Sequence, residues 1–75
     1  MTMSELEELG FEVVKCYEHN HFITQRRKRG NMTIETTWNK EKGHQQVWQD
    51  MVIDKTHIEE PNKQFVKSLI EVLCK

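Results

Sequence analysis

Proline and glycine are scarce in this sequence, and their scarcity argues against a flexible linker between domains. One proline and three glycines among 75 residues leave no stretch with the composition of an interdomain linker. A chain of this length supports one hydrophobic core, and below about 70–80 residues such a core rarely contributes more than about 3–5 kcal/mol. Residues 1–75 are therefore predicted to form a single domain.

Cysteine is also rare. Cys16 and Cys74 are the only two, which is far below the disulfide density of small secreted scaffolds, so both thiols are expected to be reduced. The acidic first residues lack the basic and apolar segments of a signal peptide. No apolar run approaches the roughly 18 residues of a membrane span. The sequence predicts a cytoplasmic protein without a membrane partner.

Residues that commonly carry catalysis are few. Ser4 and Ser68 are the only serines and Asp50 and Asp54 the only aspartates, and no nucleophile elbow, phosphate loop or paired-carboxylate motif is present. Cys16 is the one conceivable nucleophile, but it is expected to face the core, where a cysteine is ordinarily inert. The sequence predicts a protein that is not an enzyme and takes no cofactor.

One group of residues could suggest zinc. Its members are Cys16, His19, His21, His44, His57 and Cys74. The spacing from Cys16 to His21 resembles half a zinc site without matching a known knuckle. A cysteine directed to the core and a histidine in a turn would also fail to converge on one tetrahedral point. No metal site is predicted.

Charge is abundant but balanced, with eleven basic and twelve acidic residues and a formal net charge of −1. No global field therefore marks the chain as a nucleic-acid binder. The sharpest local feature is a run of four cations at the expected tip of a hairpin: Arg26, Arg27, Lys28 and Arg29. These residues are predicted to bind nucleic acid or an acidic protein surface. The alternative is a hairpin tip that is merely solvated.

The first residues predict a short helix over about residues 3–9. Thr2 with Glu5, or Ser4 with Glu7, has the spacing of a capping box, and Gly10 provides a stop. From Phe11 onward the apolar period falls to two, and turn residues at 19–20, 30–31 and 39–43 separate four predicted strands.

The predicted strand register depends on the three turns. It pairs Cys16 with Ile23, then Ile23 with Trp38, and finally Ile34 with Trp48. One sheet face then carries the predicted core: Val14, Cys16, Ile23, Ile34, Trp38 and Trp48.

The closing stretch from Pro61 to Lys75 has apolar residues at helical spacing and a proline suited to a first helical position. This helix needs an apolar partner, and the sheet is the surface of matching size. Residues 54–60 are interpreted as a loop. The predicted fold is α+β: a short N-terminal helix, a four-stranded antiparallel meander and a C-terminal amphipathic helix packed on the sheet.

The second face of the sheet is predicted to carry apolar residues as well. Tyr17 and Phe22 should lie on this face with Val13, joined by Val47 and Met51. The first helix could cover them. If instead it packs beside the last helix, an exposed patch remains, and a homodimer through Tyr17 and Phe22 is expected.

The segment Leu6 to Phe11, followed by short polar strands and a final amphipathic helix, resembles small accessory proteins of phages and prophages from Gram-positive bacteria. Those proteins tend to open a helix with an Ile-Thr-Met-Glu-like segment, where this chain has Ile58-Glu-Glu-Pro61. The resemblance implies a protein that acts by binding, either regulating phage genes or inhibiting a host factor. It implies no particular site residue.

Overall fold

A computed structural model describes residues 1–73 and confirms the predicted α+β class with an antiparallel sheet. The elements are α1 (Met3–Glu8), β1 (Glu12–His19), β2 (Phe22–Arg29), β3 (Met32–Asn39), a 3-10 turn (Lys40–Lys42), β4 (Gln45–Ile53), β5 (Thr56–Glu59) and α2 (Lys63–Leu73). The five strands lie in sequence order in one meander. Neither helix within residues 1–73 is long and apolar enough to cross a membrane.

The fifth strand corrects the prediction of a loop over residues 54–60. Asp54 adopts a left-handed conformation with φ 55°, which aspartate tolerates better than most residues, and so permits a tight turn before Thr56. The chain then pairs back along β4, with Ile58 opposite Met51. Ile58 packs against the core, and this burial stabilises a strand of only four residues.

The last helix is confirmed, but it begins later than its proline suggested. Asn62 rather than Pro61 caps the first turn of the helix, because the Asn62 Oδ1 accepts a hydrogen bond from the backbone N–H of Phe65 at 2.8 Å. Pro61 precedes this turn and is buried. The predicted extension through Cys74 and Lys75 lies outside the described residues.

The first helix begins with the capping box formed by Thr2 and Glu5. The Glu5 N–H donates to the Thr2 hydroxyl at 3.2 Å, and the Thr2 N–H donates to the Glu5 carboxylate at 2.9 Å. The hydrogen bond from the Thr2 backbone is the main reason that the pKa of Glu5 lies below its ordinary value.

This cap predicts a pKa change that NMR titration can measure. Thr2→Pro removes both the backbone donor and the hydroxyl at a residue whose φ of −81° lies near that of proline, so the pKa of Glu5 should rise toward its ordinary value. Thr2→Ser keeps both groups and should leave it low. Because the pKa of Glu5 is lower in the folded state, its contact with Thr2 stabilises the folded protein at pH values above the unfolded-state pKa. This stabilisation is lost as the pH falls through the folded-state pKa. An unchanged pKa in Thr2→Pro would contradict this cause.

Both helices pack on the same side of the sheet. The buried apolar residues of this core are Leu6, Phe11, Met32, Ile34, Met51 and Val66. Leu69 and Ile70 of α2 pack against its margin. The same side also buries Gln49, whose Nε2 donates to the Thr36 hydroxyl at 2.9 Å, so this buried amide is satisfied. The opposite side of the sheet receives neither helix.

The predicted register is confirmed at one hairpin and wrong at the others. Gly30 and Asn31 form the turn between β2 and β3, and Ile23 pairs with Trp38 as predicted. In the first hairpin the turn lies one residue later, at 20–21, because Asn20 takes the position with φ 52°. Cys16 therefore pairs with Gln25 instead of Ile23. Cys16 is exposed, like every other residue of β1, so its predicted place in the core is wrong.

A β-bulge reverses the predicted orientation of Trp48. Trp38 pairs with Gln46 while Thr37 pairs with Trp48, so Val47 is an extra residue without a partner. One extra residue moves every later side chain to the other face of the strand. Met51 therefore enters the core opposite Ile34, and Trp48 is 52% exposed on the uncovered side. The prediction that Trp48 lies in the core is wrong.

A second bulge displaces Val14 in the same way. Val13 pairs with Arg27 and Lys15 with Arg26, which leaves Val14 as the extra residue. Val14 is 56% exposed and lines a groove on the uncovered side with Trp48. Its predicted place in the core is therefore also wrong.

Candidate functional site: the open face of the sheet

The side of the sheet opposite the helices forms a continuous surface, which we call the open face. It consists mainly of three rows of cross-strand neighbours: Tyr17, Thr24, Thr37 and Trp48; Lys15, Arg26, Glu35, Asp50 and Glu59; and Glu12, Lys28, Thr33, Val52 and His57. Residues paired across neighbouring strands share a face, and their side chains contact each other. The sheet therefore brings together residues from all five strands.

Apolar and aromatic side chains are prominent on the open face. Tyr17 is 36% exposed, compared with 52% for Trp48 and 56% for Val14. The rings of Tyr17 and His19 stack with centroids 5.7 Å apart, and Phe22 follows at 5.9 Å from His19. These rings line a shallow groove that reaches Trp48. Single exposed apolar residues are ordinary, but a shared surface of this kind is typical of an interaction site.

Positive and negative residues occupy separate parts of the middle row of the open face. The middle row begins with Lys15 and Arg26 on β1 and β2 and continues with Glu35, Asp50 and Glu59 on the other three strands. Arg26 forms an ion pair with Glu35 at 2.8 Å, measured from Nη2 to Oε2. One half of the row is thus cationic and the other half anionic.

The four basic residues predicted to bind a partner do not form one patch. They lie within β2 rather than at its turn, so their side chains alternate between the two faces of the sheet. Arg26 and Lys28 lie on the open face, where they line a groove with Val14 and Trp48. Arg27 and Arg29 point to the helix side. The expectation of a single exposed basic tip is wrong, because a strand cannot present consecutive side chains on one side.

Arg27 is buried and contacts the protein's own backbone and side chains instead of lying on the surface. The residue is 5% exposed, and its Nη1 donates to the Phe11 carbonyl at 3.2 Å. Nε donates to the Gln25 side chain at 2.9 Å, and Nη2 lies 3.4 Å from the Glu7 carboxylate. Arg27 therefore ties α1 and the segment after it to the sheet.

Arg29 also contacts the N-terminal segment. Its guanidinium donates to the Leu9 carbonyl and lies against Gly10, where an added Cβ would come within 2.6 Å of Nη1. Gly10 also has φ 83°, which favours glycine. Gly10 thus follows the end of α1, as predicted, and leaves room for the Arg29 guanidinium.

Three of the four histidines of the possible zinc group contact separate neighbours. His19 contacts the Thr24 hydroxyl at 3.1 Å, His21 contacts Glu41 at 2.7 Å and His57 contacts Asp50 at 3.0 Å. Within residues 1–73, no three His, Cys, Asp or Glu side chains are grouped closely enough to hold a metal ion. Cys74 lies outside the described residues.

The sequence located part of the open face. Tyr17 and Phe22 lie there as predicted, although their role in oligomerisation stays a prediction. Val13 instead shares the helix side with Arg27, and Met51 is fully buried in the core. Val14 and Trp48 were missed because strand alternation places them in the core unless the two bulges are known.

Comparison with protein-family models, with curated proteins and with solved structures gave no match.

Proposed function

We propose that this protein is a non-enzymatic binding module that contacts another protein through the open face. The observation that carries the proposal is the exposure of Val14, Tyr17 and Trp48 on a surface that neither α1 nor α2 covers. Aromatic residues are enriched in protein interfaces, and apolar patches on small domains commonly mark them. Such a role fits a cytoplasmic phage accessory protein that regulates or inhibits a host factor, as the sequence resemblance implies.

The charges on this face favour protein over nucleic acid as the partner. Its three rows contain three cations and four carboxylates: Lys15, Arg26 and Lys28 against Glu12, Glu35, Asp50 and Glu59. A phosphate backbone gains from cations and is repelled by carboxylates, whereas a protein surface can match both signs. Nucleic acid bound by Arg26 and Lys28 is the alternative.

Affinity capture with matched variants tests the protein-binding role. Tyr17→Thr/Trp48→Thr removes two exposed rings while keeping residues that favour strands. Val72→Ala is the control, because Val72 is 73% exposed on α2. The nuclease-treated lysate should come from host cells that also express an untagged copy of this chain. A partner captured from it should be retained by the wild type and by the control, and lost by the double variant. Capture of the same proteins by all three would contradict a role for the open face.

Labelled oligonucleotides test the nucleic-acid alternative. Lys28→Ser removes a cation of the open face, and Lys67→Ser removes one from α2 as a control. Wild-type protein should show no binding that falls steeply with salt. The alternative predicts tight binding whose logarithmic affinity falls with the logarithm of salt concentration, with a slope of about 0.9 per neutralised phosphate. If only Lys28→Ser makes this slope shallower, the nucleic-acid alternative replaces the protein-binding proposal.

A further inference from the structure

The order of charges on the open face is complementary to itself. Along the middle row, Lys15 lies on edge strand β1 and Glu59 on edge strand β5. Arg26 and Asp50 occupy the two strands on either side of the central strand β3. A rotation of 180° that exchanges the edges of the sheet therefore exchanges cations with carboxylates.

A two-fold axis parallel to the strands performs this exchange when two open faces meet. It places β1 of one copy over β5 of the other, and β2 over β4, with β3 at the axis. Sheets that pack face to face lie about 10 Å apart with strands aligned to within about 30°, a separation that lysine and glutamate side chains can jointly span. Two-fold interfaces require this kind of self-complementary patch.

We infer that the open face binds a second copy of this chain, so that the sheets stack with Lys15 over the second copy's Glu59 and Arg26 over its Asp50. Each pair occurs twice in the dimer because of the symmetry. Glu35 meets its own equivalent near the axis, where each carboxylate is already paired with its Arg26 at 2.8 Å. The inference rests on the proposed function, since it identifies the protein that covers the face.

The other rows are compatible with the same arrangement. Glu12 lies over His57 of the second copy, and Lys28 over Val52, whose aliphatic surface the lysine stem can cover. Trp48 lies over the second copy's Thr24, which is only 2% exposed at the bottom of the groove lined by Tyr17 and Phe22. The indole, 52% exposed in the single chain, would therefore be covered by the sides of that groove. Like charges are thus opposed only at Glu35.

Charge reversal at the two edge strands tests the arrangement. Lys15→Glu and Glu59→Lys each place like charges across the interface twice, so each should weaken the dimer about tenfold or more. The double variant Lys15→Glu/Glu59→Lys again places unlike charges opposite each other, so it should recover dimerisation. An equimolar mixture of the two single variants should recover it for the same reason, as a heterodimer. Sedimentation equilibrium would report a mass of twice 9.0 kDa for the wild type.

The same measurements can overturn the inference. Both positions are exposed, and circular dichroism checks that the variants fold; if one does not fold, Lys15→Gln or Glu59→Gln replaces it and should weaken the dimer less. A wild type that stays monomeric would refute the inference. A dimer that neither reversal weakens, as edge-to-edge pairing of β1 would give, would also refute it. A monomer whose captured partner is lost in Tyr17→Thr/Trp48→Thr would retain the proposed function without the dimer.

Discussion

Arg27→Ala should destabilise the protein by about 1–3 kcal/mol, whereas Lys28→Ala, the next residue along β2, should change stability by no more than about 0.5 kcal/mol. The difference follows from burial, because Arg27 is 5% exposed and Lys28 is exposed. Alanine at 27 leaves the Phe11 carbonyl and the Gln25 side chain without the donor that each has now. It also removes the packing of the aliphatic stem.

Urea denaturation of the two variants measures this difference directly. Because a domain of this size has only about 3–5 kcal/mol of stability, Arg27→Ala should lose a large part of it and unfold at a clearly lower urea concentration. Replacing Arg26, Arg27, Lys28 and Arg29 together by serine should destabilise the protein at least as much as Arg27→Ala. A loss of binding by that quadruple variant would therefore not identify a partner-binding surface. Equal midpoints for the Arg27 and Lys28 variants would show that the contacts of Arg27 contribute no net stability.

Ile34→Ala should lower the free energy of unfolding by about 2–5 kcal/mol, as other large-to-small core replacements do. Ile34 is fully buried at the centre of the sheet, opposite Met51 and beneath the helices. The cavity left by alanine cannot collapse easily in a five-stranded sheet that is paired on both sides of β3. We expect this variant to be unfolded or close to it.

Trp48→Ala is the informative comparison, because simple strand alternation predicts that Trp48 and Ile34 face the same core. Trp48 is 52% exposed and pairs with Thr37 on the open face, so its loss should cost no more than about 1 kcal/mol. Thermal melts of the two variants provide the measurement. A larger loss from Trp48→Ala than from Ile34→Ala would show that Trp48, and not Ile34, contributes more to the core.

Local sequence signals predicted the features that depend on a few neighbouring residues. Thr2 and Glu5 define the start of α1 because both capping groups lie within one helical turn. The apolar spacing after Pro61 predicted α2. Gly30 and Asn31 set the register of β2 against β3, since a two-residue turn leaves no freedom in the pairing. Tyr17 and Phe22 were assigned correctly to the open face although the register of the first hairpin was wrong, because a slide of two residues between β1 and β2 preserves alternation.

The remaining features arose only when distant segments met. A bulge has no sequence signature of its own, yet the bulges at Val14 and Val47 decide which later residues reach the core and which form the open face. The burial of Arg27 likewise depends on the Phe11 carbonyl sixteen residues away. The sequence by itself determined both helices, the first four strands and one hairpin register, because turns and caps are local. Tertiary structure decided the faces, because each extra residue reverses alternation and only packing selects where it is placed.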